Sequence, residues 1–121
     1  MDSDLEFEID FCRSILRRAP HDLVVMEMLA GLYTKVGRID EGLELDRRIV
    51  ELDPDNAISH YNLACSLALK NRANDALAAL RIALEQGYND FEWLMDDPDL
   101  TSLHENPSFS ALLSEFQVKE S

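Results

Sequence analysis

Basic residues are scarce in this chain: 11 Lys and Arg stand against 24 Asp and Glu, for a formal net charge of −13 and a pI of about 4.4. A nucleic-acid surface needs clustered cations to displace the counterions of the phosphate backbone, so neither nucleic acid nor an anionic membrane is an expected partner. Glycine and proline are equally thin, four each, which disfavours a many-turned β-sandwich or a disordered tail. There are two cysteines, Cys12 and Cys65, with no CxxC or other metal-binding spacing. Both fall among apolar positions, where a free thiol packs as a small hydrophobe, as suits a reducing compartment. No stretch approaches the roughly 18 consecutive apolar residues that a membrane span requires. The opening MDSDLEFEID is acidic and lacks the apolar run of a secretory signal, so the expected location is the cytoplasm.

What the chain does have is apolar residues, 46% of its 121, enough for one domain with a modest core. It also has a period. Pro20 and Pro54 lie 34 residues apart, and each closes a helical pattern. At the same offset Leu29 matches Leu63, Ala30 matches Ala64, Arg38 matches Arg72, Leu43 matches Leu77, Arg47 matches Arg81 and Glu51 matches Glu85. One step back, Ile9 joins the Leu43 row, Arg13 the Arg47 row, and Ile15 stands opposite Ile49 and Ala83. A period of this length marks a stacked array of helix pairs, each of which buries its apolar face only against a neighbour.

Apolar spacing and capping residues predict the helices. One runs over 4–18 and stops before Pro20. The next is capped by Asp22 and runs to about Val36, with Gly37 supplying the left-handed residue past its end. Asp40 is expected to cap a helix reaching Leu52, and Pro54 ends it. Asp55 or Asn56 then caps a helix ending near Lys70. Asn74 is expected to cap the next, which Gly87 terminates. Ala30, Gly42, Ala64, Ala76 and Ala83 are the small residues expected where helices approach closely, with Leu29, Leu43, Leu63 and Leu77 filling the layers between.

With these residues in place, the chain resembles the tetratricopeptide repeat family, whose pattern is W-x2-L-G-x2-Y, A-x3-F, then P. The first full repeat reads Met26, Leu29, Ala30, Tyr33, Gly42, Asp46 and Pro54 at those positions. The second reads His60, Leu63, Ala64, Leu67, Ala76 and Leu80, with Tyr88 where the proline belongs. The most family-like stretch is LELDRRIVELDPDN, residues 43–56. Met26, His60 and Asp46 depart from the pattern. Residues 87–113, GYNDFEWLMDDPDLTSLHENPSFSALL, resemble the end-of-array cap of many bacterial tetratricopeptide proteins, with His104 in place of the usual Arg. Asp90, Asp97 and Asn106 read as helix caps there, Pro98 and Pro107 as first helical residues, and Phe109, Leu112, Leu113 and Phe116 as the apolar stripe of the last helix.

The resemblance implies an all-α fold: a short right-handed α-solenoid of stacked antiparallel helix pairs, closed by a C-terminal capping segment. It implies one domain over 1–121, with a half-repeat helix at 4–20, repeats at 22–54 and 55–87, and a cap at 88–117. It also implies a bacterial origin and a protein-binding role.

Little in the sequence points to chemistry. His21, His60 and His104 are far apart and form no i, i+4 pair, and the acids around Asp96, Asp97 and Asp99 lack the spacing of a calcium loop. No nucleophile elbow and no phosphate-binding loop is present. Neither an enzyme, a cofactor nor a metal is expected.

The resembled family lines a concave groove with the first helix of each pair. Carried onto the matching positions, that groove comprises Val24, Glu27, Met28, Gly31, Thr34 and Lys35 from the first repeat. The second contributes Ile58, Tyr61, Asn62, Cys65, Ala68 and Leu69. The expected ligand is another protein or a peptide, and the charge suits a basic one. Residues 85–121 carry nine acids and one base, a further attraction for such a partner, or else a solvated surface. Glu27 and Gly31 stand where a carboxylate clamp needs Lys and Asn, so C-terminal carboxylate capture is not expected. A homo-oligomer without an external ligand, with the helix at 4–18 pairing with its twin, remains open beside peptide binding.

Overall fold

The computed structural model describes residues 3–120. Among the described residues there are seven α-helices and one 3-10 helix, and no strand. The order is α1 Ser3–Arg18, α2 Leu23–Lys35, α3 Ile39–Leu52, α4 Ala57–Leu69, α5 Ala73–Glu85, α6 Phe91–Asp96, the 3-10 helix Pro98–Leu103, and α7 Pro107–Glu120. Each of α1 to α4 packs on the next, so the fold is an all-α solenoid of helix pairs. The 3-10 helix packs on α4 and α7 packs on α5.

Local chemistry sets most of the helix ends. The Asp22 carboxylate accepts the Val25 N–H at 3.2 Å, and the Asn56 side chain accepts the Ile58 N–H at 2.9 Å. Both satisfy amides that the first turn leaves without a partner. Beyond α2 and α5, Gly37 and Gly87 adopt φ of +84° and +106°, the left-handed conformation that ends a helix. Beyond α4 the same role falls to Asn71, at φ +59° and one 34-residue period after Gly37.

Two expected caps lie elsewhere. Asp40 and Asn74 sit inside their helices, one residue past the start, and the cap positions are Arg38 and Arg72 without a side-chain cap bond. Each arginine instead pairs three residues forward. Arg38 meets Glu41 at 2.6 Å and Arg72 meets Asp75 at 2.7 Å, the same device repeated one period on.

The small residues stand at close approaches. A Cβ on Gly42 would lie 3.1 Å from the Thr34 hydroxyl and 3.2 Å from the Ala30 carbonyl oxygen, so α2 and α3 touch there through backbone. Ala64, Ala76 and Ala83 are fully buried. The apolar side chains divide into two clusters. One joins α1, α2 and α3 through Ile9, Cys12, Met26, Leu29 and Ile49. The larger joins α4 and α5 to the C-terminal segment, where Leu94, Leu100, Leu103 and Phe109 are sealed from solvent. His60, which replaces the usual aromatic, is buried, and its Nε2–H donates to the Pro54 carbonyl at 2.7 Å. A carbonyl only accepts, so this contact assigns the ring proton to Nε2.

Candidate partner-binding groove

Helices α2 and α4 lie on the same side of the stack, and between them runs a cleft of about 310 Å³. From α2 it takes Glu27, Gly31 and Thr34, and from α4 Tyr61, Asn62, Cys65 and Leu69. Gly31 keeps it open: a Cβ there would meet nothing within 4 Å. Seven of the twelve residues expected to line a groove are thus brought together. Val24, Met28, Lys35 and Ile58 are solvent-exposed but lie outside this cleft.

The remaining one, Ala68, is covered. The C-terminal segment folds back across α4, the 3-10 helix lies along it, and Ser102 Oγ donates to the Ala68 carbonyl at 3.2 Å. Ala68 is only 1% exposed, so it has no side-chain surface to offer a ligand. Tyr61 and Cys65 sit under the same cover, at 5% and 7% exposure, and reach the cleft only through their edges.

That cover supplies a wall the repeat pattern does not contain: Trp93, Asp97 and Asp99 line the cleft opposite α2. Asp97 is the joint. Its Oδ1 accepts the Asp99 N–H at 2.9 Å and caps the 3-10 helix. Its Oδ2 accepts the Tyr61 hydroxyl and the Cys65 thiol, the latter at 3.7 Å. The Tyr61 ring stacks on Tyr88, with centroids 4.3 Å apart, which fixes the direction of its hydroxyl. Burial, and then its bond to the Asp97 carboxylate, raise the Tyr61 pKa well above the ordinary tyrosine value. Burial, followed by the charges of Asp97 and Asp99, likewise pushes the Cys65 thiol up.

Cys65, Asp97 and Asp99 bring three metal-ligating atoms within 4.8 Å of one another. Both Asp97 oxygens are hydrogen-bond acceptors, Oδ2 from the Cys65 thiol and Oδ1 from the Asp99 N–H.

The floor of the cleft holds Asp46 and Ser66. Asp46 occupies a repeat position that is ordinarily apolar, and it is buried. Ser66 Oγ donates to it at 2.5 Å. Its pKa is pushed up to about 6, chiefly by burial, with the Glu27 charge adding to the rise and the Ser66 bond opposing it. The cleft therefore presents the carboxyls of Glu27, Asp46, Asp97 and Asp99. Among the described residues, no Lys or Arg lines it. Burial and then the Asp97 charge raise the Asp99 pKa as well. Trp93, the chain's one tryptophan, stands 47% exposed in its wall.

Sequence reasoning places neither Asp46 nor the Trp93–Asp99 wall in the groove. A buried acid at an apolar slot was the signal for the first. For the second, only the density of acids in the cap hinted at a role beyond helix capping.

Taken together, the paired helices, the covered last unit and the open cleft define a short helical-repeat scaffold. Residues 47–78, from the middle of α3 through α4 into α5, match the tetratricopeptide repeat family, so the chain carries a tetratricopeptide repeat there. This family serves typically as a non-enzymatic protein–protein interaction scaffold. A stretch of 87 residues is 33% identical to a protein of Arabidopsis thaliana whose name describes it as chloroplastic, covering 69% of this chain and 26% of that protein. The chain thus spans about a quarter of the length of this relative. No helix among the described residues is long and apolar enough to cross a membrane.

Proposed function

We propose that the cleft between α2 and α4 binds a basic segment of another protein, holding a Lys or Arg side chain over its acidic floor. The observation that carries this reading is the charge of the cleft: four carboxyls from three different elements line it, unrelieved by any cation among the described residues. Opposite charge across an interface steers encounter and penalises wrong partners. Trp93 adds a flat apolar face on which a cation gains about 0.5–2 kcal/mol. A half-exposed Trp in the wall of a concave surface is also the residue type that most often dominates an interface. On this reading residues 22–54 and 55–87 are the two repeats that build the site, and residues 88–117 seal the array and furnish its far wall. The protein is an adaptor rather than an enzyme. The two free thiols, both buried, support the cytoplasmic location expected from the sequence. The plant relative, by its name, is a protein of the chloroplast.

Trp93 makes the test direct. The full chain is titrated with short peptides rich in Lys and Arg, and with acidic peptides of equal length, while Trp93 emission is followed. Basic peptides shift the emission and acidic ones do not, and the affinity falls as salt is raised. Because Asp46 ionises near pH 6, affinity also rises as the pH passes upward through that value. Glu27→Gln with Asp99→Asn weakens binding by about tenfold, or about 1.4 kcal/mol. A basic set that leaves the emission unmoved at low salt refutes the reading.

A further inference from the structure

We propose that the outer face of α1 is a two-fold contact with a second copy of the chain, the two α1 helices running antiparallel. Helix α1 carries apolar residues on two faces. Its inner face buries Ile9 and Cys12 against α2. Its outer face shows Phe7 at 70% and Phe11 at 56% exposure, one turn apart, with their rings stacked at 6.5 Å between centroids. Two large aromatics on one exposed stripe form a patch of the kind that marks an interaction site. Beside Phe11 on that same face is a shallow hollow lined by Phe11, Ser14, Ile15, Arg17 and Arg18.

Charge identifies the occupant. On and beside the Phe7–Phe11 stripe, the first half of α1 carries Asp4, Glu8 and Asp10, and the second half Arg17 and Arg18. A parallel twin would set acid against acid and base against base. An antiparallel twin sets each acidic half against a basic half, so the face is complementary to itself, as a two-fold interface requires. With the axis at Phe11, Asp4 comes opposite the twin's Arg18. Phe7 comes opposite the twin's Ile15 and enters the hollow beside the twin's Phe11. The same association adds another helix to the open end of the stack, where an array of this type gains stability from a neighbour. The surface lies on α1, away from the α2–α4 cleft, so this inference stands apart from the peptide-binding reading.

The test uses the full chain and two charge-reversed forms. Arg17→Glu with Arg18→Glu makes the outer face acidic throughout. Asp4→Lys, Glu8→Lys and Asp10→Lys together make it basic. Light scattering over a wide concentration range finds the wild-type chain passing from monomer to dimer. Each reversed form has a dissociation constant raised at least tenfold, and an equimolar mixture of the two regains a dimer. Far-UV circular dichroism shows that both remain helical, and Trp93 emission in each matches the wild type. A wild-type chain that stays monomeric at every concentration overturns the proposal. So does a reversed form that dimerises as well as the wild type, or a mixture that stays monomeric.

Discussion

The two ends of the array bury apolar surface very differently. At the C-terminal end, α6, the 3-10 helix and α7 bring Leu94, Leu100, Leu103 and Phe109 into one core with α4 and α5, and none of the four is more than 1% exposed. At the N-terminal end, α1 covers the first repeat with Ile9 and Cys12 and leaves Phe7 and Phe11 to solvent. A helical repeat must end in something that hides an apolar face on one side and shows water a polar one on the other. The C-terminal segment does both. Helix α1 does only the first, so one end of the molecule contributes stability and the other has surface left for association.

The sharpest way to break this contrast is Phe109→Ala. Phe109 is among the largest fully buried side chains, and removing a ring from a packed core costs about 3–5 kcal/mol. Urea unfolding followed by far-UV circular dichroism reads the loss as a lowered midpoint. A loss under about 1 kcal/mol would mean that the C-terminal segment is appended to the fold and does not complete it.

A smaller effect is expected at the joint between seal and repeat. Asp97→Ala leaves the buried Tyr61 hydroxyl without its acceptor, a cost of about 1–3 kcal/mol, and removes a helix cap for about 1 kcal/mol more. Tyr61→Phe with Asp97→Ala is expected to be less damaging than the sum of the two single changes, because it leaves no orphaned hydroxyl. The four unfolding free energies form the cycle that measures this coupling, and exact additivity would mean that the Tyr61–Asp97 contact contributes nothing of its own.

The floor of the cleft offers a pH test. The Asp46 carboxyl ordinarily titrates near 3.8 and in the folded chain near 6. Between those values the folded state holds a proton that the unfolded chain has released, so stability falls as pH rises through this window. Each pKa unit corresponds to about 1.4 kcal/mol, so the Asp46 contribution to the fall is about 2–3 kcal/mol. Asp46→Asn removes that component while keeping an acceptor for Ser66. Unfolding at pH 4 and pH 7 is expected to separate the two proteins at the higher pH only, with the Asn variant the more stable. The cost of a charged carboxylate here is one that a cationic ligand would relieve, which links stability to the proposed function.

Much of the architecture was legible in the sequence. The 34-residue offset exposes the helix pairs, and Asp22, Asn56, Asp90, Asp97 and Asn106 mark helix starts because a short side-chain oxygen reaches an amide two or three residues on. Asp40 and Asn74 mislead for the same reason. They are short polar residues near a helix start, but Arg38 and Arg72 have already taken the cap position, close behind Gly37 and Asn71 in the left-handed conformation. The site was less legible. The family resemblance assigns Tyr61, Cys65 and Ala68 to the groove face of α4 but carries no information about what folds over that face. The answer lies in the long-range bonds from Asp97 and Ser102, which span more than thirty residues. Asp46 stood out as a departure from the repeat pattern, yet its meaning depends on Ser66 and Glu27, which only packing brings to it.

The smallest expected effect is also the one that separates the two ends most cleanly. Phe7→Ala and Phe11→Ala are expected to change the stability of a dilute sample by no more than about 0.5 kcal/mol each. Neither ring is buried, and an exposed aromatic pair one helical turn apart contributes only about 0.2–0.5 kcal/mol. The same pair of changes is expected to matter at high concentration. A dimer that forms only from folded chains raises the melting temperature as protein concentration rises. The wild-type melting temperature should therefore climb with concentration and that of the Phe7→Ala, Phe11→Ala form should stay flat, with the two curves meeting at the dilute limit. Curves that run parallel at every concentration would show that the outer face of α1 is ordinary solvated surface. A gap of several kcal/mol at the dilute limit would show instead that Phe7 and Phe11 belong to the core of the folded monomer, and the contrast between a sealed end and an open one would disappear.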